Sequence, residues 1–256
     1  MKAGSGLSYE VKEPVSIKLS SFDVDISKWL YDATRLFDIE DVAFAKGAFR
    51  NVFKATCFKT KKKFVVKKFK EEFIGQLKDI NELLTNKESE KSLALKAVQV
   101  HMLAKNLASQ MQRRAEAKCP GEEFGEIFRY NKAFFGVVEG TNEIVMVEEF
   151  VEGEFKKYIN NTGIVQHRSS NPTLVAKAEC LAHFTYEKSE GKFILFYIQG
   201  SDYVLYDLEI ATSDTAVSDG ALKFTMGNLT DGAIKNFLSS HKCNKYCKLI
   251  ELQDIK

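Results

Sequence analysis

The chain has 256 residues, 45% of them hydrophobic, and its 37 basic and 35 acidic side chains leave a net charge of +2. That length builds one large domain or two small lobes, and the balanced charge supplies no global field for nucleic acid. The longest apolar run, FILFYI at 193–198, falls far short of the roughly 18 residues a membrane span needs. The five cysteines make no disulfide framework, so a reducing compartment, the cytosol, is expected.

Residues 1–12, MKAGSGLSYEVK, lack an apolar centre and read as a flexible tail rather than a signal peptide. VSIKLS (15–20) alternates as a strand does. AFRNVFKATCF (48–58) and FVVKKF (64–69) flank a lysine-rich turn and predict a hairpin. Within it, Lys67 emerges from apolar neighbours and can reach a phosphate as a point charge, or snorkel to solvent. Gly47 and Arg50 in FAKGAFR (44–50) offer a tight turn and a bidentate phosphate contact. Leu93, Ala97, Val100, Leu103, Ala104 and Leu107 recur at helical spacing, predicting a helix over 92–117 that Cys119-Pro120-Gly121 stops.

EIVMVEEFV (143–151) reads as a buried strand ending in a connection. Its Glu148 and Glu149 are either adenine-binding acids beside a cleft or solvated ones. Asn171-Pro172 starts a helix, with Asn as N-cap and Pro at its first position. KFILFYI and YVLYDL predict two strands around Gly200. They carry Gln199 and Asp207, two oxygen ligands suited to a hard cation. MGNLTDG (226–232) sets two glycines before a helix N-terminus, a place that favours anions without being a Walker motif. Thr230-Asp231 opens a final helix, expected to reach 247. There HKCNKYC supplies His241, Cys243 and Cys247, and His183, in LAHFTYE, is the best fourth zinc ligand by context. The spacing alone equally allows two buried cysteines and a surface histidine. Strands first, a connecting strand near 145–151 and a mixed second half predict an α+β fold with two lobes.

In order and spacing, FAKGAFR (44–50), VVKKF (65–69), VEEFVEGEFKKYINNTG (147–163), LAHFTYE (181–187), IQG followed by YD (198–207), GNL (227–229) and HKCNKYC (241–247) resemble the alpha-kinases. These are atypical protein Ser/Thr kinases that include myosin heavy chain kinases, elongation-factor kinases and channel-kinases. The resemblance covers residues 13–253. It implies a two-lobed protein-kinase-like fold with ATP between the lobes, an N-terminal lobe over 13–147, and a zinc-stabilised C-terminal lobe over 148–256. It also implies a protein substrate or scaffold partner, and leaves the oligomeric state open. Carried over residue by residue, it puts Lys67 on the ATP phosphate with Arg50 in support and Glu148 at the adenine hinge. Gln199 and Asp207 would hold Mg2+, and His183, His241, Cys243 and Cys247 would hold Zn2+. Lys157 and Asn161 match a segment at the cleft with no defined role.

Three positions depart from the family pattern. Tyr197 stands where the family has the aspartate taken as catalytic, two residues before Gln199. Ala97 stands where an acid on the long helix would pair with the phosphate lysine, so Lys67 is expected to lack a carboxylate partner. Thr225 and Thr230 replace glycines of the glycine-rich loop. Two functions follow: an alpha-kinase-type protein kinase of weak phosphotransfer, or a pseudokinase that keeps the fold as a nucleotide-binding or structural module. A zinc hydrolase is not expected, because four protein ligands leave no position for water.

Overall fold

The computed structural model describes residues 13–82, 88–121, 123–166, 171–213, 217–218, 221–222, 224–225, 227–228 and 230–255. The expected tail, residues 1–12, and Met226 and Leu229 of the glycine-bearing loop lie outside these.

The first half is a strand-rich body. Strands β1 (Val15–Asp23), β2 (Lys28–Ile39), β3 (Ala45–Lys46), β4 (Arg50–Cys57) and β5 (Lys63–Phe69) precede helices α1 (Glu71–Glu82) and α2 (Glu90–Lys118). Then follow β6 (Arg129–Tyr130), β7 (Ala133–Val138) and β8 (Ile144–Glu149). The sheet runs β2-β1-β7-β8-β5-β4-β3, and an additional β2–β4 pairing closes it into a barrel. Inward positions alternate along each strand, so Ile17, Leu19, Phe37, Cys57, Phe64, Val66, Val145 and Val147 form the barrel core. The opposite face of β5 and β8 presents Lys67 and Glu148, since Val65 pairs with Glu148 and Lys67 with Met146.

Helix α2 serves both halves of the molecule. Ser89 caps it, accepting from Ser92 N at 3.1 Å while Ser92 Oγ accepts from Ser89 N at 2.7 Å, a reciprocal capping box. Its first turns pack Ala94 and Val98 on Phe135 and Met146 of the barrel. Its later turns bury Leu107, Ala108, Met111 and Ala115 in the core of the second lobe.

That lobe contains β9 (Lys156–Ile159), α3 (Pro172–Lys188), β10 (Phe193–Phe196), β11 (Ile198–Ser201), β12 (Val204–Leu205), β13 (Glu209–Thr212), β14 (Val217–Ser218), β15 (Ala221–Leu222), α4 (Thr230–Ser240) and α5 (Lys245–Leu249). Sheet β6-β12-β11-β9 and the pair β10-β13 pack against α3. Asn171 caps α3 as expected, accepting from Thr173 N at 2.9 Å with Pro172 following. The architecture is the expected two-lobed α+β fold.

Two local expectations need correction. FILFYI is not one strand: Tyr197 takes a left-handed φ of 53° and separates β10 from β11. Gly200 therefore lies inside β11, and the turn falls at Asp202 and Tyr203. The final helix also breaks. Residues 241–244 separate α4 from α5, because Asn244 turns its side chain onto Tyr246 N and Cys247 N and starts a new helix.

Candidate active site and metal centre

The cleft between the lobes is organised by Lys67. Strand β5 buries it to 8% exposure, and its ammonium donates to Glu148 Oε1 at 2.7 Å and Asp207 Oδ1 at 3.0 Å. Burial alone would push this ammonium down, but the Asp207 and Glu148 carboxylates outweigh it and hold it above its ordinary value. The expectation that Lys67 lacks a carboxylate is thus corrected. Ala97 does line the cavity beside it, but the counter-charge comes from the neighbouring strand rather than from α2.

Glu148, read from the sequence as an adenine-facing acid, is 2% exposed and sits here as the lysine's counter-ion. Asn131 steadies it from behind, donating to Glu148 Oε2 at 3.5 Å and to Glu149 O at 2.8 Å. His101 of α2 completes this inner wall, its Nε2 meeting Asn131 O at 2.9 Å and its imidazole pushed down by burial.

Arg50 stacks over Phe69 with its guanidinium carbon 4.6 Å from the ring centroid. Its buried Nε has no hydrogen-bond partner. Burial pushes the guanidinium below its ordinary value, and Asp207, Glu148 and Glu209 partly offset it.

Opposite, β11 holds Gln199 at 2% exposure. Its amide nitrogen donates to the Asp207 backbone oxygen at 2.8 Å and to Oδ2 at 3.2 Å, and its Oε1 is buried without a partner. The chain can make this approach only because residue 200 is glycine: a Cβ there would lie 2.1 Å from Val204 O. Asp207 itself adopts a left-handed φ of 56° and is exposed toward the cleft. Lys67 holds its carboxyl below the usual carboxylate range. Gln199 Oε1 and the Asp207 carboxylate are the oxygens a hard cation would take here, so the residues present fit Mg2+.

Tyr197 stands at the edge of this group, with Lys157 Nζ 4.2 Å from its ring centroid. Asp202 is exposed in the β11–β12 turn, away from the group, and Asn161 is exposed in the turn after β9.

Glu209 is a cleft residue that the sequence did not announce. It lines the same cavity as Arg50, Lys67 and Asp207, accepts from Thr225 Oγ1, and lies where a Cβ on Gly227 would come 2.4 Å from its carboxyl carbon. Only the packing of the loop after β15 onto β13 reveals it. Burial pushes its carboxyl up to about 7, Thr225 opposes that and Asp207 adds to it. The folded protein therefore keeps a proton that the unfolded chain, near 4.5, gives up. Stability falls as pH rises through that window. Glu209→Gln, melted in chelator, should raise the Tm at pH ~8 and leave it unchanged near pH ~4. Equal shifts at both pH values would show that the carboxyl is not the cause.

The second cluster ties α3 to the C-terminal segment. His183, His241, Cys243 and Cys247 place their ligand atoms within 4.8 Å of one another. His241 Nε2 lies 3.2 Å from His183 Nδ1, Cys243 Sγ 3.6 Å from His183 Nδ1, and Cys247 Sγ 3.9 Å from His241 Nε2. A tetrahedron with zinc–nitrogen and zinc–sulfur bonds of ordinary length needs about 3.3–3.8 Å between ligand atoms, so this donor set fits a zinc ion. The break between α4 and α5 lets His241 and Cys243 leave the helical path while Cys247 returns on α5. Glu179 Oε1, 3.8 Å from His241 Nδ1, stands behind the ring.

The family model described as "Alpha-kinase family" matches residues 45–247. The chain is 30% identical over 128 residues to human transient receptor potential cation channel subfamily M member 6, covering 50% of this chain and 6% of that protein. It is 27% identical over 241 residues to alpha-protein kinase 1 of Dictyostelium discoideum, covering 91% of this chain and 15% of that protein. The chain thus spans a small part of the curated relatives it matches. Its fold superposes on the alpha-kinase domain of myosin-II heavy chain kinase A in complex with AMP-PNP with a TM-score of 0.73. That match has 22% identity and covers 96% of this chain and 98% of the other.

Proposed function

The chain belongs to the alpha-kinase family, and on that premise we propose that it binds Mg-ATP in its interlobe cleft as a protein Ser/Thr kinase domain of weakened phosphotransfer. The observation that carries this is the set of reserved groups around Lys67. The Arg50 Nε and the Gln199 Oε1 are buried and unpartnered, one a donor for phosphate and one an acceptor for a cation. The nucleotide complexes of the structural neighbours support the same reading.

In this reading residues 13–147 contribute the phosphate-binding face and residues 148–256 the metal-binding one. Lys67 and Arg50 neutralise and orient the phosphates, with Glu148 and Asn131 holding the lysine in place. Gln199 and Asp207 would hold Mg2+, which when bound offsets phosphate charge. The substrate is a protein hydroxyl, and its proton needs an acceptor as the phosphoryl group transfers. Tyr197 occupies the place of the acceptor carboxylate, and a phenol hydroxyl is a poor substitute for a carboxylate as proton acceptor. Lys157, over the Tyr197 ring, brings positive charge to the same spot. This pair favours a second reading, a pseudokinase that binds nucleotide and serves as an interaction module.

His183, His241, Cys243 and Cys247 are proposed to hold a structural zinc, with no position left for catalysis. Five free thiols suit a reducing compartment such as the cytosol, and no helix among the described residues is long and apolar enough to cross a membrane.

Calorimetry with Mg-ATP tests the cleft. Asp207→Asn should weaken binding by roughly tenfold or more, the loss of a charge-assisted contact. Lys67→Ala should weaken it further and lower the Tm as well, because it strands the buried Glu148 without a counter-ion. No binding by the wild-type chain at millimolar nucleotide would reduce the cleft to a feature of the fold.

A further inference from the structure

A cavity larger than the pocket around Lys67 lies away from the nucleotide cleft. It lies at one open end of the β-barrel, with a volume of about 760 Å³. Barrel mouths are regular ligand sites, and this volume is in the range that holds a small molecule. Its chemistry is one-sided. Arg35, Lys59, Lys62, Lys105 and Lys132 line it, against the two carboxylates of Asp32 and Glu149. The cations outnumber the acids by three.

Arg35 has one face already engaged. It lies over Phe64 and Phe134, 5.9 and 5.6 Å from their centroids, and pairs with Asp32 at 2.6 Å. This fixes a guanidinium at the floor of the cavity with donors left over, in a fork that suits phosphate. Among the described residues, no carboxylate comes within ion-pair distance of any of the four lysines.

Lys105, on α2, and Lys132, before β7, also act on each other. Burial and then the neighbouring Lys132 push the Lys105 ammonium down, and Glu149 only partly offsets them. Lys105 is partly buried and Lys132 exposed, and an anion between them would relieve this repulsion. A phosphate group carries close to two negative charges at neutral pH. An excess of three positive charges is therefore met by two or more phosphates.

We propose that the barrel mouth bounded by Arg35, Lys59, Lys62, Lys105 and Lys132 is a second anion site, separate from the ATP cleft, that binds a small molecule or headgroup bearing at least two phosphates. The lysines of the β4–β5 turn, Lys59 and Lys62, close on the ligand from the solvent side, while Arg35 and Lys105 meet it within.

The probe is inorganic tripolyphosphate, titrated calorimetrically into the 256-residue chain in excess Mg-ATP, which occupies the cleft. Wild type should bind with an affinity that falls steeply with salt. Lys59→Gln/Lys62→Gln/Lys132→Gln should bind roughly 10²-fold more weakly, having lost three charge-assisted contacts, with an unchanged Tm. Lys28→Gln/Lys192→Gln/Lys235→Gln removes the same charge from exposed positions elsewhere and should bind as wild type does. Flotation with phosphatidylcholine vesicles, with and without phosphatidylinositol bisphosphate, separates the two sources. Co-flotation that the barrel-mouth variant loses assigns a lipid headgroup, and its absence assigns a free polyphosphate. No tripolyphosphate or vesicle binding by wild type overturns the proposal, as does equal loss in both triple variants or full affinity in the barrel-mouth variant.

Discussion

Tyr197→Asp is expected to raise phosphotransfer from Mg-ATP by about 10²–10⁴-fold, the usual worth of a positioned acid/base group. Three features of the site favour a clean gain. Residue 197 sits at φ 53°, a left-handed conformation that aspartate tolerates better than tyrosine. The side chain is only partly buried, so a smaller one leaves no sealed cavity. Lys157, now above the aromatic ring, would face a carboxylate. The comparison needs four proteins in one radiometric assay: wild type, Tyr197→Asp, Tyr197→Phe and Asp207→Ala. Robust wild-type activity that Tyr197→Phe leaves unchanged, and that Asp207→Ala abolishes, would mean that another group takes the proton.

Cys243→Ser/Cys247→Ser is expected to release the metal and destabilise the second lobe by several kcal/mol. Structural zinc sites contribute about 10–16 kcal/mol of apparent binding energy in small zinc-dependent modules. A lobe with its own core loses only part of that. Here the cluster joins α3 to a stretch in which α5 is only five residues long. Buried Tyr246, Cys247 and Ile250 belong to the lobe core and would lose their anchor. Elemental analysis should give one zinc per wild-type chain and none in the variant, with a lower Tm. A metal-free wild type whose Tm the double substitution does not change would end the zinc reading.

What could be read from the sequence follows the range of each signal. The β4–β5 hairpin and α3 were legible because a polar turn and an Asn-Pro cap act within a few residues. Strand β2 was missed. Leu30, Tyr31 and Leu36 along it are all exposed, which blurs the alternation. The break at Tyr197 has no local signature, since a left-handed residue that is not glycine is imposed by its surroundings. In the cleft, Lys67, Gln199 and Asp207 were found through motif order. The Lys67–Glu148 pair needed a register, Val65 opposite Glu148, that no spacing along the chain supplies. Glu209 needed a loop contact formed across 16 residues.

The double allegiance of α2 has a consequence for how this protein is made. Synthesis runs from the N-terminus, so the barrel strands through β8 and all of α2 leave the ribosome before α3 exists. Until then the stripe of Leu107, Met111 and Ala115 has no lobe to enter. A nascent barrel can close, because its last strands, β7 and β8, emerge after α2 and still before α3. It does so with half a helix of sticky surface facing solvent. A fragment ending after β8 should therefore be a chaperone client and precipitate when overproduced, while the same barrel with Leu107→Lys and Met111→Lys should stay in solution.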